Sequence, residues 1–269
     1  MIPDIYLSVS PFGADGLNRA VEIAHNIGCA GLEIPVSFLP GSGEIEIFRG
    51  LPIRVVGVGW RPDQPSDIVE ALALAGEFHA QAVNIYGGLA NSVDSTTARD
   101  AFVKDVSSAI DKTPDDSPIL VLENELAKAP GLSASLDGWL GLIRAVDSPR
   151  FRGTLDVANF ISAGEDEGEI MRRIIDEAIP LIGHAHAKGL TPFDAELHSR
   201  EPFRRRWQAS GEWLAAPAGE GSPDWEQLLP KLLAHGYTGA MTVEPFQRAE
   251  FINRAVTFIR TVAESTTQT

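Results

Sequence analysis

The sequence predicts a single (β/α)8 barrel, the TIM barrel, on three observations. Short β-branched runs alternate with segments that are apolar every three or four residues, the pattern of βα units built on a parallel sheet. The alternation occurs eight times with no shift in composition that would mark a linker, which favours a closed barrel over the alternative, an open doubly wound sheet. The length of 269 residues exceeds the usual single-domain size but is ordinary for an α/β barrel. One domain is expected over residues 1–264, followed by a polar tail at 265–269 that should fray.

The first strand is expected at 5–10, before a helix whose stripe of Leu17, Ala20, Val21, Ala24 and Ile27 stops at Gly28. Further strands are expected at 31–36, 53–59, 82–87, 119–125, 153–159, 182–188 and 240–246. Ser66 is placed to cap a helix carrying Ile68, Leu72 and Ala75, and Asp94, Asp137 and Asp224 stand where later N-caps belong. The last helix should span 250–264. Within the seventh strand, a period of two puts His184, His186 and Lys188 on one face and the intervening alanines on the other. Residues 190–222 are the one long irregular region; Arg204, Arg205, Arg206, Trp207 and Trp213 within it suggest a lid or a binding loop over the barrel mouth.

Composition narrows the function. Hydrophobic residues are 44% and charged residues 22% of the chain, and no apolar run approaches the roughly 18 residues of a membrane span. The net charge of −15 repels polyanions, whereas nucleic-acid binding draws most of its non-specific affinity from Lys and Arg on phosphate. Neither a nucleic-acid nor a membrane partner is expected, and a small molecule is. The N-terminus lacks the basic region of a signal peptide, and the lone Cys29 excludes an internal disulfide, so a cytoplasmic protein is expected.

Four strand ends carry a metal-capable side chain after apolar residues: Glu123, Asp156, His186 and Glu244. Three buried carboxylates on nearby strands repel one another unless protons or a cation compensate. A divalent metal is the economical answer, and three oxygen donors with one imidazole suit Mn²⁺ first, Mg²⁺ or Co²⁺ next, and Zn²⁺ less. Glu33, Trp60 and Tyr86 lie near the ends of earlier strands, where they would line the mouth, and Glu125 is read as a rim residue.

The motifs Leu122-Glu123-Asn124-Glu125, Leu155-Asp156-Val157-Ala158-Asn159, His184-Ala185-His186-Ala187-Lys188, Pro217-Ala218-Gly219-Glu220-Gly221-Ser222-Pro223-Asp224-Trp225 and Thr242-Val243-Glu244-Pro245-Phe246 together resemble the xylose isomerase-like superfamily of sugar isomerases and epimerases. The resemblance covers nearly the whole chain. It implies metal ligation by Glu123, Asp156, His186 and Glu244, and a place for His184 either behind the ligands or against substrate. Two departures are visible: Asn159 stands where many relatives have His, and Gly189 where Asp is frequent. The DNA-repair branch of the superfamily uses extra histidines from earlier strands, which are missing here. The resemblance implies an isomerase or epimerase of a non-phosphorylated keto-sugar or related polyol, working through an enediolate with Glu123 and Glu244 as acid and base. Substrate contacts are expected from His184, Lys188, Asn159, Trp60 and Glu33. A lyase of the inosose, dehydroshikimate or 3-keto-glycoside type would use the same site, and a partner-dependent or non-catalytic barrel subunit is the alternative of another class. A homo-oligomer or a partner subunit is compatible with either.

Overall fold

The structure, a computed structural model, describes residues 2–39, 48, 50–60, 68–86, 95–124, 132–208, 210–244 and 246–267. The chain begins β1 (Ile5–Ser8), α1 (Leu17–Ile27), β2 (Gly31–Pro35), β3 (Ile53–Gly59), α2 (Ile68–Glu77), β4 (Ala82–Tyr86), α3 (Ser95–Asp111) and β5 (Ile119–Glu123). It continues with α4 (Leu136–Val146), β6 (Phe151–Leu155), α5 (Val157–Ala163), α6 (Glu167–Arg173) and β7 (Ile182–Ala187). A small excursion follows: β8 (Gly189–Pro192), α7 (Ala195–Arg200), β9 (Arg206–Gln208) and β10 (Glu212–Ala216). Then come α8 (Trp225–Ala234), β11 (Ala240–Val243) and α9 (Ala249–Thr267).

The eight strands β1 to β7 and β11 close on themselves in the order β1-β11-β7-β6-β5-β4-β3-β2, all paired in parallel. The expected barrel is the observed one. Its strands present alternate residues inward and outward. On β7 the outward Ala185 and Ala187 pack in the layer between barrel and helices, while His184 and His186 point inward, all of them buried. Tyr6, Val55, Ala82 and Val121 form a separate apolar cluster that fills the lower end of the barrel. Above it the interior turns polar.

Local chemistry explains the element ends. Gly28, at φ 75°, ends α1 in the left-handed conformation and donates its N–H to Ala24 and His25 carbonyls. Gly153 of β6 gives up its side chain to Trp139 of α4: a Cβ there would lie 1.9 Å from the indole Cζ2. That indole donates to the Leu122 carbonyl at 2.8 Å and locks α4 against β5.

Several expectations need correction. The sixth strand ends at Leu155 instead of residue 159, because Asp156 caps α5 by accepting from the Asn159 N–H. Ser135, not Asp137, caps α4; Asp137 sits in the first turn and pairs with Arg173 at 2.7 Å. Asp224 caps α8 as expected, whereas Ser66, Asp94 and Glu125 lie outside the described residues. Helix α9 continues to Thr267, so the segment 265–267 is helical instead of frayed. The region 190–222 is not irregular: β8, β10 and β9 form a three-stranded antiparallel sheet in that order. Strands this short, with charged residues along them, carry too few alternations to be read from pattern.

Candidate metal centre and active site

Interior positions of the strands stack in layers. Just above the apolar floor lie Glu33, Asn84, Thr154, His184 and Thr242, all buried. Above them, at the C-terminal ends of the strands, one ligand atom each from Glu123, Asp156, His186 and Glu244 falls within 4.8 Å of all the others. The four sequence-predicted ligands therefore converge. They come from β5, the turn after β6, β7 and the end of β11, which are consecutive around the barrel.

His186 joins the layers. Its Nε2 lies 3.1 Å from both oxygens of Glu33, so the Nε2–H donates downward and the ring's other nitrogen is turned to the upper group. That Nδ1 is buried with no hydrogen-bond partner, and it faces Glu123 Oε1 at 3.4 Å, Glu244 Oε1 at 3.6 Å and Asp156 Oδ2 at 3.9 Å. An unpartnered imidazole nitrogen aimed into three carboxylates fits a cation at their centre, and a carboxylate behind a ligating histidine is the usual means of fixing its tautomer. Lys188 adds one positive charge, with Nζ 2.5 Å from Asp156 Oδ2 and 2.8 Å from Glu244 Oε1. One ammonium does not offset the three carboxylates, and the negative charge that remains favours a cation among them.

The protonation tendencies follow from burial and contacts. Burial alone would raise Glu33, but His186 and His184 outweigh it and hold the carboxyl well below the usual range. Burial opposes charge on His186, yet Glu33, Glu244 and Glu123 together raise its pKa well above normal. Burial pushes Asp156 up to about 6, against the pull of Lys188. For Glu244 burial is outweighed by Lys188 and His186, so its carboxyl is held low. Lys188 is raised despite its burial, by Asp156, Glu244 and Glu123.

Other expected site residues are sorted by strand parity. Glu33 is not at the mouth: it is 6% exposed and accepts from His184, His186 and Asn84 beneath the ligand group. Trp60 follows the inward Gly59 and so turns outward, where it packs edge-on against Phe102 of α3 and donates to Asp105 at 3.0 Å; it belongs to the helix layer and not to the mouth. His184 lies below the ligands, 2.8 Å from Thr242 Oγ1 and stacked on Tyr6. Asn159 is buried and donates to the Asn124 carbonyl at 2.7 Å and toward Glu123 at 3.5 Å, while its Oδ1 is unpartnered. Tyr86 stays at the mouth, 38% exposed, its ring lying over Gly57. Gly189 replaces the frequent Asp for a steric reason: a Cβ there would lie 2.2 Å from the Glu220 carbonyl oxygen.

Three positioning residues escaped the sequence reading. Asn84 donates to Glu33 and Glu123, both at 3.1 Å, and accepts from Thr154 at 2.9 Å. Asn124 clamps Asp156 by accepting from its N–H at 2.7 Å and donating to its carbonyl at 2.6 Å. Trp225 donates to the Lys188 carbonyl at 2.9 Å. The available signal was a polar residue inside an apolar strand run, as in Val83-Asn84-Ile85.

Comparison with known proteins agrees with the barrel fold. The family model described as xylose isomerase-like TIM barrel matches residues 63–262. No curated protein matches the sequence significantly. Among solved structures, a xylose isomerase-like TIM barrel protein from Mycobacterium smegmatis in complex with magnesium superposes with TM-score 0.73 at 17% identity, covering 98% of this chain and 97% of that one. An L-ribulose 3-epimerase gives 0.71 at 16% identity, with 100% and 96% covered. The probable 3-DHS dehydratase AsbF of Bacillus anthracis gives 0.67 at 15% identity, with 95% and 98% covered. At these identities the likeness is one of fold.

Proposed function

We propose, from the premise that the chain belongs to the xylose isomerase-like TIM barrel family, that it is a divalent-metal-dependent isomerase or epimerase of a non-phosphorylated keto-sugar or related polyol. The observation that carries this reading is the convergence of Glu123, Asp156, His186 and Glu244 within 4.8 Å at the C-terminal face, where barrel enzymes keep their active sites. The oxygen-rich donor set suits Mn²⁺ or Mg²⁺, with Co²⁺ compatible and Zn²⁺ less so. Bound there, the ion would supply positive charge beside a substrate carbonyl and its neighbouring hydroxyl.

The protein's own groups do the rest. Glu123 and Glu244 leave strands separated by β6 and β7, so they approach the ligand centre from different sides. One carboxylate removes the proton from the carbon beside the carbonyl, giving an enediolate. Returning a proton from the other side inverts the centre, and returning it to the neighbouring carbon moves the carbonyl. The Lys188 ammonium, held by Asp156 and Glu244, is placed to donate to a substrate oxygen.

The buried Lys188 also favours a second reading. An ammonium at the edge of the carboxylates could protonate a departing hydroxyl, which would make the protein a lyase that ends in an unsaturated product. Solvent-isotope exchange and product absorbance separate the two. In heavy water, turnover of a suitable keto-sugar should place deuterium at the carbon beside the carbonyl without ultraviolet absorbance from a conjugated product. Complete turnover with no label and no loss of the carbon's own hydrogen would indicate hydride shift and remove Glu123 and Glu244 from the acid–base role. No described helix is long and apolar enough to cross a membrane. A cytoplasmic location, the expectation from the single cysteine, is part of the proposal.

A further inference from the structure

The run Arg204-Arg205-Arg206 is not used by the site above. Its outer members are neutralised: Arg204 pairs with Glu201 and Glu220, and Arg206 with Glu212 at 2.6 Å. Arg205 instead lines a cavity of about 510 Å³ with Pro11, Arg19, Phe203, Gln247 and Arg248. The cavity is assembled from the turn after β1, the first part of α1, the segment before β9 and the segment after β11. β1 and β11 are neighbours in the barrel, so the cavity lies at the rim where the segments that follow these two strands meet.

Three guanidiniums converge there in a chain with 37 acidic and 22 basic residues. Among the described residues neither Arg19 nor Arg205 forms an ion pair, and Arg248 reaches Glu250 only at 3.9 Å. All three are solvent-exposed, and with no close carboxylate partner they make a positive patch on an otherwise acidic protein, which favours an anion there. Two of them are held by aromatic rings: Arg248 stacks over Phe203 at 4.4 Å and Arg205 lies 5.9 Å from the Trp207 ring centre. Trp207 also meets Lys188, whose Nζ is 5.3 Å from the same ring, so one buried indole contacts both Arg205 of the cavity and Lys188 of the ligand group.

We propose that this cavity binds the oxyanion of a small-molecule substrate, a carboxylate or a phosphate, whose reacting end lies at Glu123, Asp156, His186 and Glu244. The inference rests on the isomerase reading and narrows its substrate to an acidic sugar; a phosphate ligand would replace the non-phosphorylated class. Guanidiniums recognise either group through paired, charge-assisted hydrogen bonds.

The test is calorimetric titration of the purified protein at low ionic strength with inorganic phosphate, with galacturonate and with neutral galactose. At least one anion should saturate in the millimolar range or below, galactose should not depend on the arginines, and the anion that saturates assigns the class. The double variant Arg205→Gln/Arg248→Gln should weaken that anion at least tenfold. Arg172→Gln, whose side chain pairs with Glu169 and Asp176 on the far surface of α6, should leave it unchanged. Saturation by neither anion, or equal affinity in the double variant, overturns the proposal. Bound metal is assayed on the same samples: anion-insensitive protein that carries its metal overturns the cavity alone, whereas arginine-dependent anion binding on protein that takes up no metal overturns the isomerase reading.

Discussion

Replacing Glu33 with Gln tests the link between the two layers of the barrel. The carboxylate lies 3.1 Å from His186 Nε2, 3.2 Å from His184 Nε2 and 3.1 Å from the Asn84 amide, and it is 6% exposed. A glutamine keeps the shape and one acceptor oxygen but turns the other oxygen into an N–H donor. His186 then keeps one of its two acceptor contacts but loses the negative charge that holds its proton on Nε2 and turns Nδ1 to Glu123 and Glu244. Loss of such a partner behind a ligating histidine typically weakens metal binding about 10- to 100-fold, or roughly 1.4–2.8 kcal/mol. The unsatisfied buried donor should also lower folding stability by about 1–3 kcal/mol. Competition of the protein with a calibrated chelator for Mn²⁺ gives the first quantity, and urea denaturation of the metal-free protein gives the second. A Glu33→Gln protein that binds Mn²⁺ within twofold of the wild type would refute the assignment of Glu33 as the group that orients His186.

Two further substitutions or treatments probe the frame around the site. Gly153→Ala puts a Cβ 1.9 Å from Trp139 Cζ2, so the indole must shift and its bond to the Leu122 carbonyl weaken. Overpacking and the strained bond should together cost about 2–4 kcal/mol in urea denaturation, and an unchanged midpoint would contradict the packing described. Cys29 is buried, and burial holds its thiol up at about 11, with Arg260 opposing in part. The folded pKa lies above the unfolded value of roughly 8.5, so the thiol's contribution to stability is complete below that value and is lost as pH rises through about 11. At pH 8 iodoacetamide should label the native protein slowly and the urea-unfolded protein fully; rapid stoichiometric labelling of native protein would place the thiol in solvent.

The barrel and the ligand set were legible for the same reason. A strand that is apolar outward and closes a barrel must declare its inward residues by period two, and His184, His186 and Glu123 stand on that period. Depth was harder to read. Glu33 looks like a mouth residue in sequence, but β2 pairs with β1 and β3 so that Glu33 lies beside Ser8 and Val55, one layer below Glu123. Trp60 shows how one residue of phase decides the matter, since Gly59 occupies the inward position and Trp60 the outward one. The excursion after β7 was unreadable because its β9 strand spans only Arg206–Gln208 and is defined by pairing with residues four to eight positions away, which no local period records. The polar connectors Asn84 and Asn124 were missed because their value lies in partners more than 30 residues distant in the chain.

The account stands most directly on the metal content of the protein as purified and dialysed against Mn²⁺ or Mg²⁺, measured by mass spectrometry of the elements in parallel with Asp156→Asn. Asparagine is as good an N-cap as aspartate, so the variant keeps the hydrogen bond from Asn159 N–H that starts α5 and should fold, while losing the charged ligand 3.9 Å from His186 Nδ1. The wild type should carry about one divalent ion per chain, and the variant should lose most of it with an unchanged circular dichroism spectrum. Full occupancy in Asp156→Asn, or no ion in the wild type after dialysis, would contradict a metal centre at Glu123, Asp156, His186 and Glu244.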